Sequence, residues 1–516
     1  MTVEKKKTGL APMLNAYPDS LGGCLGDIAA LLEREEVRGA FGSFYILPSL
    51  YHYDLDRGFS VIDYDLNEEL ARRDDLERIK ALGIDLKLDF VLNHASVNSP
   101  QFQDLLQKGD DSQYRDFFID WNKFWAGCGG MTEEGYIRPE PKYIENMFFR
   151  KPGLPFLTVT FPDGSKRPYW NTFYQKVEET AGGTKYYGQM DLNIHSPLVW
   201  AHYEDTLRKL ADYGTSIVRL DAFAYAPKEP GARNFLNEPG TWDFLERVSA
   251  LAEPYGITLL PEIHESFDKK IHELVASKGY MIYDFFLPGL LLDALEGGDG
   301  AALAGWANEL ISKNMRSVTM LGCHDGIPLL DLKGLLPERR IQSLIDTIVA
   351  RGGYVKDLHG QKNMYYQVNA TYFSALGEDE RKLLLARAIH LFMPGKPQVW
   401  YLDLFAGKND IEGMRRAGEG GHKEINRTNL TWEDIDEGLK RDVVLKQLEL
   451  LRMRSAQPVF CEDAKVTVSS AGSDLSMVWE TEGQRAELHA DLAGFGFTVE
   501  VTDKKTGKTV YRFQQA

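Results

Sequence analysis

Apolar positions in this chain gather into short runs that finish in polar or charged residues, and eight of these runs have the length and composition of buried strands. They cover residues 10–17, 40–48, 85–94, 216–223, 257–264, 281–288, 317–325 and 398–405. Between them, stretches such as 242–255, 269–277 and 380–391 repeat apolar residues every three or four positions, the period of an amphipathic helix. Such strand and helix units in succession predict an α/β fold, a (β/α)8 barrel.

Two spacings break the rhythm. The stretch between the third and fourth runs is rich in aromatic residues, Gly and Pro and is too long for a loop, so an inserted subdomain is expected over 95–194. A second insertion is expected over 326–377, between the seventh and eighth runs. After Pro458 the pattern turns to short alternating segments, Lys465-Val-Thr-Val-Ser and Phe497-Thr-Val-Glu-Val among them, which predicts a small C-terminal β domain over 458–516. The barrel is then left with 1–94, 195–325 and 378–457.

Composition narrows the function. The chain has 516 residues, 43% of them hydrophobic, enough to bury a large core. A formal net charge of −17 and no concentrated basic patch argue against nucleic acid, and an anionic substrate would need a local cluster of Arg, Lys or His to reverse the field. No apolar run reaches the roughly 18 residues of a membrane span, and the charged start, Met1-Thr-Val-Glu-Lys-Lys-Lys, has no apolar stretch behind it. Four scattered cysteines, Cys24, Cys128, Cys323 and Cys461, read as free thiols of a cytoplasmic protein. No metal spacing, dinucleotide loop or phosphate loop is visible, so no cofactor and no metal is expected.

Three of the runs deliver a carboxylate: Arg219-Leu-Asp221, Leu260-Pro-Glu262-Ile-His264 and Cys323-His324-Asp325. The C-terminal ends of barrel strands face the active site, so carboxylates there can act on a substrate. A solitary Asp after a strand is more often a cap or ion-pair partner. Here Arg219 lies two residues before Asp221, on the same face of a strand, where its charge favours the ionised carboxylate.

In order and spacing, Asp89-Phe-Val-Leu-Asn93-His94, Arg219-Leu-Asp221, Glu262 and His324-Asp325 resemble the four signature regions of the α-amylase superfamily. Tyr17-Pro-Asp-Ser-Leu-Gly-Gly, Pro152-Gly-Leu-Pro-Phe156, Tyr372-Phe-Ser-Ala-Leu376, Gly407-Lys-Asn-Asp410 and Ile425-Asn-Arg427 resemble the sucrose phosphorylase branch of it. The resemblance implies a retaining transfer of glucose to inorganic phosphate. It makes Asp221 the nucleophile, Glu262 the general acid/base and Asp325 the transition-state stabiliser, without a structural calcium. It puts Asp56, Phe59, His94, Arg219, His324 and Arg427 around the glucose. It puts Arg150, Lys151, Phe173, Gln189, Tyr225, His264, Tyr366 and Gln367 around phosphate or the leaving group. The partners implied are a small sugar and phosphate, and a homodimer is left open.

The leaving group is the open point. Arg150-Lys151-Pro stands where plain sucrose phosphorylases tend to show Arg-Pro-Arg-Pro, and the arginine resembles that of sucrose 6'-phosphate phosphorylases, where it grips the fructose phosphate. Against this, Tyr366 stands where those enzymes carry a phosphate-binding His. Met364, an insertion over 178–187 and a long loop over 415–424 also depart from the pattern. Glucosylglycerol and glucosylglycerate phosphorylases, and a hydrolase or transglucosidase, stay as alternatives; a non-catalytic binding module would not need all three carboxylates.

Overall fold

A computed structural model describes residues 9–181, 183–355, 367–418 and 421–516. Eight strands form one sheet: β1 Met13–Ala16, β2 Ser43–Ile46, β3 Asp85–Val91, β4 Thr215–Asp221, β5 Thr258–Pro261, β6 Ile282–Asp284, β7 Ser317–Met320 and β8 Lys396–Trp400. Their order, β5-β4-β3-β2-β1-β8-β7-β6, is that of a nearly closed barrel with parallel pairing. All eight expected strands are present, each shorter than its apolar run. The seventh run was expected to continue to Asp325 but leaves the sheet after Met320: the Gly322 N–H donates to the Asp403 carboxylate rather than to a neighbouring strand. In the eighth, Tyr401–Leu404 is a helical turn, since an apolar run of this composition suits a buried helix as well as a strand.

The chain divides into two compact units. One comprises Ile46–Arg73 and Lys87–Glu262; the other comprises Asp74–Leu86, Ile263–Ala516 and the described part of Lys7–Tyr45.

In the first unit, the long stretch after β3 builds its own core, in which Ile119, Trp121, Trp125, Ile137 and Trp170 pack with Phe156 and Leu154. The Trp121 and Trp170 rings lie 4.9 Å apart, and the Trp121 indole donates to the Ile137 carbonyl. An antiparallel hairpin, Gln175–Thr180 with Gly183–Asp191, lies where the sequence led to an insertion being expected.

In the second unit, five strands form an antiparallel meander: β9 Lys465–Ala471, β10 Asp474–Glu480, β11 Gln484–Asp491, β12 Phe497–Asp503 and β13 Lys508–Gln515. Alternate residues of β10, Leu475, Met477 and Trp479, are buried, the pattern of a sheet with one wet face. The Trp479 indole donates to the Phe392 carbonyl at the end of the helix Glu380–Phe392. Residues after β7 add a helix, Glu338–Ala350, and a small sheet in which Gln367–Asn369 is the middle strand. Among the described residues, no helix is long and apolar enough to cross a membrane, and all four cysteines are free thiols.

Candidate active site

In the first unit, β4 alternates: Val218 and Leu220 pack on one side, while Arg219 and Asp221 share the other with Ile217. Arg219 is 3% exposed and gathers three carboxylates, which is how a cation survives such burial. Nη1 lies 2.5 Å from Asp89 Oδ1 and 2.9 Å from Asp221 Oδ1, and Nη2 lies 2.6 Å from Glu262 Oε1. Asp89 belongs to β3, Asp221 ends β4 and Glu262 directly follows β5, so a single guanidinium ties three neighbouring strands.

The guanidinium carbon sits 5.3 Å from the centre of the Phe59 ring. Phe59 follows Asp56, Arg57 and Gly58, three consecutive residues with positive φ of 52°, 47° and 112°. Position 58 accepts only glycine, because a Cβ there would meet the Ser49 nitrogen at 2.2 Å. Strain of this kind, costing about 1–3 kcal/mol per residue, persists where the surroundings enforce it and concentrates at functional sites. The Phe59 carbonyl in turn bonds the His94 ring at 3.0 Å, and burial pushes the His94 pKa down, which favours the neutral imidazole.

From His94 a chain of ring contacts leads to the expected acceptor residues. His94 packs on Phe173 at 5.1 Å, and Phe173 meets Tyr225 edge-on at 5.3 Å. Arg150 lies over both rings and donates from Nη1 to the Tyr225 hydroxyl at 3.0 Å. Lys151 donates to Asn171 Oδ1 and, at 2.9 Å, to Gln175 Oε1; burial pushes its pKa down to about 8. The buried Gln189 accepts from the Tyr174 backbone N–H through Oε1, so it braces the loop beside Phe173.

Beneath these residues lies a group that the sequence did not single out. The Lys228 ammonium is fully buried and is met by Asp191 Oδ2 at 2.8 Å, Asn93 Oδ1 at 2.8 Å and the Tyr225 carbonyl at 2.5 Å. Asp191 also accepts from the Thr172 N–H and hydroxyl and from Asn93 Nδ2. This cage links the residues next to His94, Phe173 and Tyr225. Lys228→Met is expected to lower stability by about 3–5 kcal/mol, since it strands the Asp191 charge in the interior. Urea unfolding monitored by tryptophan fluorescence measures the loss; a change below about 1 kcal/mol would show that the cage is not needed.

In the second unit, four backbone positions of the loop after β7 are pinned from outside. Asp403 takes the Gly322 N–H, Asn426 donates to the Cys323 carbonyl, Arg427 Nε to the His324 carbonyl and Asn369 to the Asp325 carbonyl, the last three at 2.8 Å. The Asp325 carboxylate has His324 Nε2 at 3.1 Å, Lys423 Nζ at 2.6 Å and Arg427 Nη2 at 3.8 Å. Burial opposes its ionisation, and this ring of cationic and donor groups overcomes the penalty, holding the carboxyl well below the usual range. Arg427 also lies over the Tyr17 ring, whose edge faces His324. His264 stacks on Phe285 with centroids 3.7 Å apart, its Nδ1 3.6 Å from Asp331 Oδ2. Gln367 pairs with Pro328 in the small sheet. Tyr366 and Met364 lie outside the described residues.

Residues 40–297 match the alpha amylase catalytic domain. A sucrose 6(F)-phosphate phosphorylase from Ilumatobacter coccineus is 54% identical over 496 residues, 94% of this chain and 95% of that protein. The corresponding Thermoanaerobacterium thermosaccharolyticum enzyme is 34% identical over 508 residues, 96% of this chain and 98% of that one. The crystal structure of sucrose 6F-phosphate phosphorylase from Thermoanaerobacter thermosaccharolyticum superposes with a TM-score of 0.88 at 32% identity, covering 99% of this chain and 98% of the other. This chain belongs to the alpha-amylase family, in its sucrose phosphorylase branch.

Within the alpha-amylase frame, sequence reasoning missed several contacting residues, Asp89, Asn426, Lys423 and Lys228 among them. Asp89 and Asn426 stood inside quoted motifs and were passed over in favour of their neighbours. Lys423 lay in a loop noted only for its length. Nothing local marks Lys228, because its two side-chain partners, Asn93 and Asp191, come from distant segments and the near one, Tyr225, offers only a backbone carbonyl.

Proposed function

We propose that this chain is a retaining glucoside phosphorylase, a glycosyltransferase that moves glucose from sucrose 6'-phosphate or sucrose to inorganic phosphate. Asp221 attacks the anomeric carbon while Glu262 protonates the departing oxygen, giving a β-glucosyl-enzyme and the free ketose. Phosphate then attacks the same carbon, Asp221 leaves, and the second inversion yields α-D-glucose 1-phosphate. Asp325 grips sugar hydroxyls in the transition state. Asp56, Phe59, His94, His324 and Arg427 surround the glucose, and Arg150, Lys151, Phe173, Gln189, Tyr225, His264, Tyr366 and Gln367 serve phosphate and the leaving group.

The observation that carries this reading is the Arg219 fork. Asp221 and Glu262 both fall within hydrogen-bond reach of one guanidinium. That suits the short carboxyl separation of a retaining site, about 5–5.5 Å against 6.5–9.5 Å for an inverting one. The four free thiols support a cytoplasmic setting. For the leaving group, Arg150 supports a phosphorylated sugar: held by Phe173 and Tyr225, it keeps a fixed positive charge in a chain of net charge −17.

A phosphorolysis screen with sucrose, sucrose 6'-phosphate, glucosylglycerol and glucosylglycerate, read as phosphate-dependent release of glucose 1-phosphate, tests the reaction. Arg150→Ala tests the donor. A charge-assisted hydrogen bond contributes about 1.5–3 kcal/mol, so kcat/KM for sucrose 6'-phosphate is expected to fall roughly 10- to 100-fold more than that for sucrose. Equal losses on both donors would sink the sucrose 6'-phosphate assignment.

A further inference from the structure

We propose that His272, Glu273 and Glu309 form a binding site for a zinc-class divalent metal ion. His272 and Glu273 lie on the helix Ile271–Ser277 and Glu309 on the helix Ala301–Ser312, so the site joins two elements of the second unit.

The imidazole is the organising feature. Its side chain is 7% exposed and is boxed by aromatic rings: Phe267 stacked at 5.1 Å, Phe286 edge-on at 5.0 Å and Trp306 edge-on at 5.5 Å. Nε2 has no hydrogen-bond partner within this box, an uncommon state for a buried polar atom. It is aimed between Glu273 Oε1 and Glu309 Oε1, 3.9 Å from each, and the three atoms lie within 4.8 Å of one another. Burial pushes the imidazole pKa down to about 4, so near neutrality the ring is in the uncharged form that a metal requires.

The two carboxylate oxygens already converge on a cation. Lys313 Nζ lies 2.8 Å from both, and Lys270 Nζ lies 3.1 Å from Glu273 and 3.6 Å from Glu309. Both lysine side chains are over 40% exposed and can swing into solvent. A tetrahedral ion with ligands at about 2.0–2.2 Å needs them roughly 3.3–3.5 Å apart, so the imidazole Nε2, now 3.9 Å from each carboxylate oxygen, has to close on them by about half an ångström. One imidazole and two carboxylates suit zinc or cobalt better than calcium or magnesium, which take oxygen ligands. A water completes the shell, as at zinc sites with three protein ligands.

The test uses the full-length chain stripped with a chelator. Zn²⁺ is titrated by calorimetry, and Co²⁺ by the visible absorption bands of a tetrahedral complex. One ion per chain is expected, with affinity reduced at least tenfold in His272→Ala and in Glu309→Gln. The partly exposed Glu309→Gln variant keeps the test sound if His272→Ala misfolds. Lys313→Met should tighten binding several-fold, because it removes the competing ammonium. Absence of binding in wild type overturns the proposal, as does binding that survives Glu309→Gln, weakens in Lys313→Met, or disappears in Cys323→Ser, which would move the ion to the Cys323-His324-Asp325 group.

Discussion

Asp221→Asn is expected to lower turnover by on the order of 10⁴-fold or more while the protein stays folded. The amide carbonyl can still accept from Arg219, and Arg219 keeps Asp89 and Glu262, so the strands remain tied. What is lost is the negative oxygen that attacks the anomeric carbon. A fluorinated glucosyl donor that traps the intermediate should label wild-type enzyme on the peptide containing Asp221, as read by mass spectrometry. An adduct on any other residue would end the assignment.

The second large effect concerns the proton. Glu262→Gln should cost about 10²- to 10⁴-fold on sucrose-type donors, whose departing alcohol needs protonation. Formation of the glucosyl-enzyme from α-glucosyl fluoride should be largely spared, since fluoride leaves unaided. Arg219 Nη2 grips Glu262 Oε1 at 2.6 Å, so the catalytic proton has to reside on the other oxygen, or the ion pair has to open when sugar binds. Rapid-quench measurement of the two donors separates the steps. Equal losses on both would remove the acid/base role.

The barrel was legible because its strands are continuous apolar runs, the pattern that burial on both faces imposes. Strand ends were less so. Where β7 and β8 stop is decided by Gly322 and Asp403 and by a helical turn at Tyr401, contacts that do not alter the hydrophobic pattern. Arg219 beside Asp221 could be read from the period of a strand, and the geometry agrees. That the same guanidinium also holds Asp89 and Glu262 could not, because it depends on which strands become neighbours. Lys151 shows the same limit: the sequence presents a cation beside Arg150, whereas the fold turns its ammonium toward the amides of Asn171 and Gln175.

The Lys228 cage differs from the metal site inferred above in its dependence on the surroundings of the protein. An ion drawn from solution fills its site according to its concentration and leaves when chelated. The ammonium of Lys228 is part of the chain, so its effective concentration at Asn93, Asp191 and the Tyr225 carbonyl is set by covalent connectivity alone. The support beneath His94, Phe173 and Tyr225 therefore cannot be diluted or stripped away, and it is in place as soon as the polypeptide has folded.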